Sequence, residues 1–156
     1  MEARHVRGMA MWVLDPANSG DLIAALRPHA REPDFEVCWV GEGWRDIVTQ
    51  CHRAIVAEFP EYELLTIKQK YGVLSYQAFP RRWIRGELRF TDDEDSALDA
   101  ITEAAWLASE TVCEWCGGEA ELRDNRTLWL TLCSPCNDRF PDPPHQPGGQ
   151  LRATAE

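Results

Sequence analysis

Four cysteines carry the only spacing in this chain that points directly to a chemistry. They stand as Cys113-x2-Cys116-x16-Cys133-x2-Cys136, two Cys-x-x-Cys pairs separated by a linker of ribbon length. Each pair can present two thiolates from one tight turn, so the four together match a tetrahedral zinc site. Gly117 and Gly118 follow the first pair and let the backbone fold back past the sulfurs. The run Thr127–Leu132, "TLWLTL", reads as a strand feeding the second pair. Disulfides are the rival reading, and they are disfavoured in the reducing cytoplasm. A thioredoxin-type redox device calls for one pair opening a helix, not two matched pairs. Zinc deaminases need His-x-Glu ahead of Pro-Cys-x-x-Cys, whereas here Pro135 sits inside the second pair. Four sulfur ligands leave no open position for water, so the expected Zn2+ is structural and no catalytic residue is assigned.

The remaining reactive residues are scattered. Cys38 and Cys51 read as small core residues. His5, His29, His52 and His145 form no cluster in sequence, and His52 reads as a surface histidine because neighbours on a helix do not face each other. No Ser-His-Asp pattern, phosphate-binding loop or dinucleotide fingerprint is present. Candidate partner-binding residues fall in two places. Lys68 and Lys70, the only lysines, alternate onto one face of a strand and are followed by Tyr71. Arg81, Arg82, Trp83 and Arg85 interleave arginine with aromatics, up to Phe90. Such a mixture suits single-stranded nucleic acid or a protein hot spot. The plainer readings are a lysine-guarded edge strand and an edge strand whose arginines pair with the acidic helix start that follows. Trp115, between the first two cysteines, is a further partner-binding candidate, and it and Trp83 are expected to be exposed.

These residues need elements to hold them. "MAMWVL" (9–14) is a strand or buried arm, "SGDLIAAL" a short helix capped by Ser19, and "FEVCWV" (35–40) a strand. Trp44, Ile47, Val48, Cys51, Ala54, Ile55 and Phe59 recur at helical spacing and give one apolar stripe, stopped by Pro60. Tyr62–Lys70 and Val73–Phe79 read as strands of a hairpin, with Gly72 supplying positive φ. Trp83, Ile84, Leu88 and Phe90 are candidates for a third strand. Thr91 and Glu94 make a capping box for a second long helix, buried through Leu98, Ile101, Ala105, Ala108 and Val112. The expected fold is therefore α+β: two long helices on a small antiparallel sheet, with a C-terminal four-cysteine zinc ribbon or knuckle. Residues 1–8 read as a disordered start, 9–112 as the α+β domain, 113–140 as the zinc-ribbon-like module and 141–156 as a disordered, Pro- and Gly-rich tail.

The order "GEGWRDIV", "LTIKQKYGVLSYQA", "AAWLASETVCEWCG" and "LWLTLC" resembles a family of small bacterial and tailed-phage proteins. That family has a Gly-x-Gly-Trp helix start, an Ile-Lys-Gln-Lys-Tyr-Gly-like hairpin and a terminal zinc-ribbon-like module, usually without assigned function. The likeness covers about residues 36–138, and members often place a His near the last ligand where this chain has cysteine. It implies the hairpin face and the metal module but no catalytic role.

The net charge of −10 opposes bulk binding to nucleic acid or anionic membrane and suits a protein partner with a basic surface. No apolar run is long enough to span a bilayer, and the N-terminus lacks a secretory h-region. A cytoplasmic location is expected. The functional expectation is a non-enzymatic binding protein that occludes a macromolecular partner, as an immunity protein against a toxin or a phage inhibitor of a host factor. The alternative is a nucleic-acid-binding regulator that uses the zinc module and the Arg81–Phe90 patch.

Overall fold

The computed structural model describes residues 12–34, 36–87 and 90–142. The expectations for residues 1–8 and for most of the tail fall outside them. The class is α+β, and the described residues form two small sheets and four α-helices rather than two long ones. Helix α1 (Pro16–Leu26) is capped by Asp15, whose carboxylate accepts from the Ala17 amide, with Pro16 pre-set at the first helical position. Ser19 is not the cap. It is buried at a kink inside α1, and its hydroxyl donates to Glu42 Oε2 at 2.6 Å.

Strand β1 is only Cys38–Trp39 and runs parallel to β2 (Glu63–Lys70), which pairs antiparallel with β3 (Val73–Phe79). The main sheet is thus mixed, ordered β1-β2-β3. The expected six-residue strand is cut short because the chain leaves the sheet at Gly41. The expected third strand at Trp83–Phe90 is absent among the described residues of that segment, and β1 takes its place. After a 3₁₀ turn at Glu42–Trp44, helix α2 (Arg45–Glu58) buries Val48, Cys51 and Ile55, while Ala54 is exposed. Helix α3 (Asp92–Ser109) carries both halves of the capping box, Thr91 Oγ1 accepting from the Glu94 amide and Glu94 from the Thr91 amide. Its inward positions are Leu98, Ile101, Ala105 and Ser109, and Ala108 is exposed. Ser109 replaces Ala108 on the buried face because its hydroxyl accepts from the Leu74 amide at 2.9 Å.

Two apolar cores result. The larger joins α1, α2, α3 and one face of the sheet around Trp44, Ile55, Tyr62, Leu64, Ile67 and Leu74. The smaller belongs to the cysteine module, built from a hairpin of β4 (Glu121–Arg123) and β5 (Leu130–Leu132) and the six-residue helix α4 (Ser134–Arg139). It contains Trp115, Leu130, Leu132 and, from the far end of the chain, Trp12. No helix among the described residues is long and apolar enough to cross a membrane.

Candidate metal centre

Cys113 and Cys116 lie in the turn after α3. Cys133 is the N-cap of α4, and Cys136 sits in that helix's first turn. All four Sγ atoms lie within 4.8 Å of one another. Cys116 Sγ and Cys133 Sγ are 3.6 Å apart, well beyond the length of about 2.05 Å that a disulfide requires. Sulfurs bonded at about 2.3 Å to one tetrahedral ion stand roughly 3.8 Å from each other, so the donor set fits a metal ion. The surrounding amides fit as well. The Cys116 amide donates to Cys113 Sγ at 3.5 Å and the Gly118 amide to Cys116 Sγ at 3.4 Å, contacts that favour thiolates and orient them. The Cys136 backbone amide lowers the Cys133 thiol to about 7, while burial pushes Cys136 up. Cys113 and Cys136 are buried, and Cys116 is exposed. Bound there, an ion would be enclosed by four sulfurs and would act by holding the two turns together.

The module is clasped to the rest of the fold at three places. At the first, Gly41 and Gly43 lie against its backbone. A Cβ on Gly41 would stand 2.3 Å from the Glu114 carbonyl oxygen, and one on Gly43 would stand 2.1 Å from that of Cys113. Side chains are therefore excluded, and the Gly43 amide donates to Glu114 O at 2.8 Å. Trp44 closes this clasp, its indole N–H donating to Val112 O at 2.7 Å. The Gly-x-Gly-Trp sequence is a docking device for the cysteine turn. At the second, Gly72 at the tip of the β2–β3 hairpin (φ +82) lies under Leu122, and Thr131 Oγ1 donates to Gly72 O at 2.6 Å. At the third, Trp12 meets Trp115 at 5.7 Å and Phe140 at 5.2 Å between ring centroids. Trp115, expected at the surface, is 5% exposed because Trp12 and Phe140 cover it, and Arg139 lies over its ring.

Glu114, between the two cysteines of the first pair, is buried, and burial raises its carboxyl to about 8. Its Oε2 accepts from the Gly41 amide at 3.1 Å, while Oε1 has no partner among the described residues. Nothing in its sequence position marked it as buried.

The candidate partner residues do not form one surface. Lys68 and Lys70 share the outward face of β2, and Tyr71 stands 71% exposed at the hairpin tip with φ 52. Strand β2 is central, flanked by β1 and β3, so its lysines do not guard an edge. Arg81, Arg82, Trp83 and Arg85 lie beyond the other end of β3, a strand length of about 23 Å away. Arg81 is engaged by Glu94 at 2.5 Å and lies over the Phe90 ring, as the pairing with an acidic helix start anticipated. Arg82, Trp83 and Arg85 are exposed.

The structure adds two residues to the hairpin end. Trp129 meets Tyr71 edge-on at 6.3 Å, and Trp106 on α3 borders the same groove as Tyr71. Both tryptophans are more than 40% exposed. The sequence signal for Trp106 is that it falls off the buried stripe of α3.

His52 is half-buried rather than free at the surface. Its Nδ1 is 2.6 Å from Tyr62 Oη, which bonds Tyr76 Oη at 2.8 Å, and His29 stacks on the Tyr62 ring. Burial lowers the His52 pKa and raises both phenols, which stay protonated. Cys38 and Cys51 are buried as expected, and burial raises both thiols, Cys51 to about 12.

No family model matches this chain, and neither the curated proteins nor the solved structures contain a match to it.

Proposed function

We propose that this chain is a non-enzymatic, zinc-containing binding protein that acts by occluding a macromolecular partner. The observation that carries this reading is the meeting of exposed aromatics where the hairpin tip docks on the cysteine module. Tyr71 and Trp129 are in edge contact there, Leu122 is exposed over Gly72, and Trp106 is nearby. Large rigid aromatics left in water on an otherwise acidic chain are the composition of an interface hot spot. The four-sulfur site supports a structural ion, zinc being the usual occupant of such a set, with the hairpin tip and the ribbon fixed in register by Thr131. The net charge of −10 supports a partner with a basic surface and fast association. An immunity protein against a toxin, or a phage inhibitor of a host factor, is the role that fits, in the cytoplasm.

Elemental analysis of freshly purified protein should give about one zinc per chain. Affinity capture from the native host should recover a protein partner that the Tyr71→Ala/Trp129→Ala variant loses while keeping its metal. A variant that retains the partner in full would overturn this surface. A second reading rests on exposed Arg82, Trp83 and Arg85, which support nucleic-acid binding. Labelled single-stranded DNA and RNA titrated at low salt should show saturable binding only if that reading is correct.

A further inference from the structure

Strand β3 is an edge. Its neighbour on one side is β2, and on the other side no strand among the described residues pairs with it. Natural sheets usually blunt such edges with charge, proline or brevity. The seven residues of β3, "VLSYQAF", contain no charge and no proline. The Leu74 amide points away from β2, since it donates to Ser109 Oγ. Because antiparallel pairing alternates, the backbone groups of Tyr76 and Ala78 point the same way, and those of Val73, Ser75 and Gln77 point to β2. Ser109 therefore stops the edge at one end, and among the described residues no hydrogen-bond partner meets the outward backbone amides of Tyr76 and Ala78.

A groove of about 690 Å³ runs beside this edge. Four consecutive residues line it, Val73, Leu74, Ser75 and Tyr76, although Leu74 and Tyr76 face the core and Val73 and Ser75 do not. Residues from both faces of a strand share one groove only when the groove follows the strand's backbone edge. The opposite wall is α3 and its C-cap, through Asp99, Glu103, Trp106 and the capping Glu110, at spacings of four, three and four; with Lys70 as the one cation on the lining, the groove stays net acidic. Among the described residues none of these three carboxylates has an ion-pair partner.

An edge strand facing a helix across a groove is the layout that accepts an added strand: main-chain hydrogen bonds supply affinity and alternate side chains supply specificity. We infer that this groove binds an extended, lysine- or arginine-bearing segment of a protein partner, which pairs with β3 as a fourth strand and directs its basic side chains at Asp99, Glu103 and Glu110. The inference rests on the binding reading above and names the chemistry of the segment bound.

The test uses the full-length, metal-loaded protein and fluorescein-labelled eight-residue peptides followed by anisotropy. The probe alternates lysine with threonine, and a glutamate–threonine peptide is the control. Two further probes carry N-methyl groups, one on every lysine and one on every threonine. An added strand donates to β3 from alternate residues only. One methylated probe should therefore lose at least tenfold in affinity while the other stays within threefold of the parent. Asp99→Lys/Glu103→Lys, both on the exposed face of α3, should weaken the parent probe at least tenfold with an unchanged circular dichroism spectrum. No saturable binding by about 1 mM peptide, the weak end of specific association, overturns the inference. So does equal binding by the two methylated probes, or acidic-probe binding as tight as the basic probe. If the peptides fail while a captured partner still depends on Tyr71 and Trp129, the strand-addition inference falls and the binding reading stands.

Discussion

The helix-and-sheet layer and the cysteine module are stabilised by different physics. The first buries seventeen of the described residues in one cluster, nearly all aliphatic or aromatic. The second buries six, of which two are cysteines, Cys113 and Cys136, and one, Trp12, is borrowed from the opposite end of the chain. A core that small cannot offset the entropy of ordering two turns and a hairpin, so docking, and an ion if the four sulfurs hold one, would have to supply the rest. The difference teaches where each part is vulnerable: the layer to loss of volume, the module to loss of ligands or of the close backbone approach at Gly41 and Gly43.

The largest effect should come from the ligands. Cys113→Ser, or removal of the metal with a chelator, should unfold the module while leaving most of the helical circular dichroism, because binding at such sites is worth about 10–16 kcal/mol in small domains. Tryptophan emission should shift to the red as Trp115 and Trp12 become wet. If the whole chain melts as one unit on chelation, the division into two stabilising regimes is wrong. Next comes Ile55→Ala in the larger core, fully buried on α2. It should cost about 2–5 kcal/mol in urea unfolding and leave the metal content unchanged. Gly43→Ala tests the seam between the two regions. Its Cβ would meet the backbone of Cys113, Glu114 and Gly117 within 2.8 Å, so the turn must move. The expected loss is about 1–3 kcal/mol with faster metal release to a chelator, and a variant that releases metal no faster would show that the seam does not support the site.

The smallest effect is a matter of pH. Burial raises the Glu114 carboxyl to about 8 in the folded protein, while in the unfolded chain it titrates near 4.5. The folded state therefore holds a proton that the unfolded state has lost between these values. Stability from this group is complete below about 4.5, falls as pH rises, and levels off above about 8. Metal binding itself strengthens with pH, so the informative quantity is the difference between wild type and Glu114→Gln at each pH. The glutamine variant should gain on the wild type by about 1 kcal/mol or more from pH 5 to 8, since each tenfold change in proton affinity corresponds to about 1.4 kcal/mol. A difference that stays flat across that range would mean that Glu114 does not titrate there.

Residues whose roles are set by their own neighbours in sequence were legible in advance. Each Cys-x-x-Cys pair, the Thr91–Glu94 capping box, the Tyr71-Gly72 turn and most of the α2 stripe act over a few positions, and spacing alone exposes them. Roles that depend on distant chain were not. Trp115 looked exposed because its sequence neighbours are polar, but Trp12 and Phe140 bury it. Lys68 and Lys70 looked like edge guards, but β1 arrives from about thirty residues away in sequence, Cys38 opposite Ile67 and Trp39 opposite Lys68, and makes their strand central. The arginine segment and the lysine hairpin were legible as two separate candidate surfaces, but that β3 holds them at its opposite ends was not.

The sequence by itself determined the candidate metal-ligand set, the class of fold and the acidic character, because ligand type, periodicity and charge are local or additive properties. Only the tertiary structure decided that Gly41 and Gly43 make a seam, that Glu114 is buried beside it, and that β3 and α3 flank an acidic groove along a strand edge left unpaired by the described strands. Each of these is a contact between residues tens of positions apart. Such contacts form where backbones can approach and polar groups find partners, and a single chain read in order does not reveal that geometry.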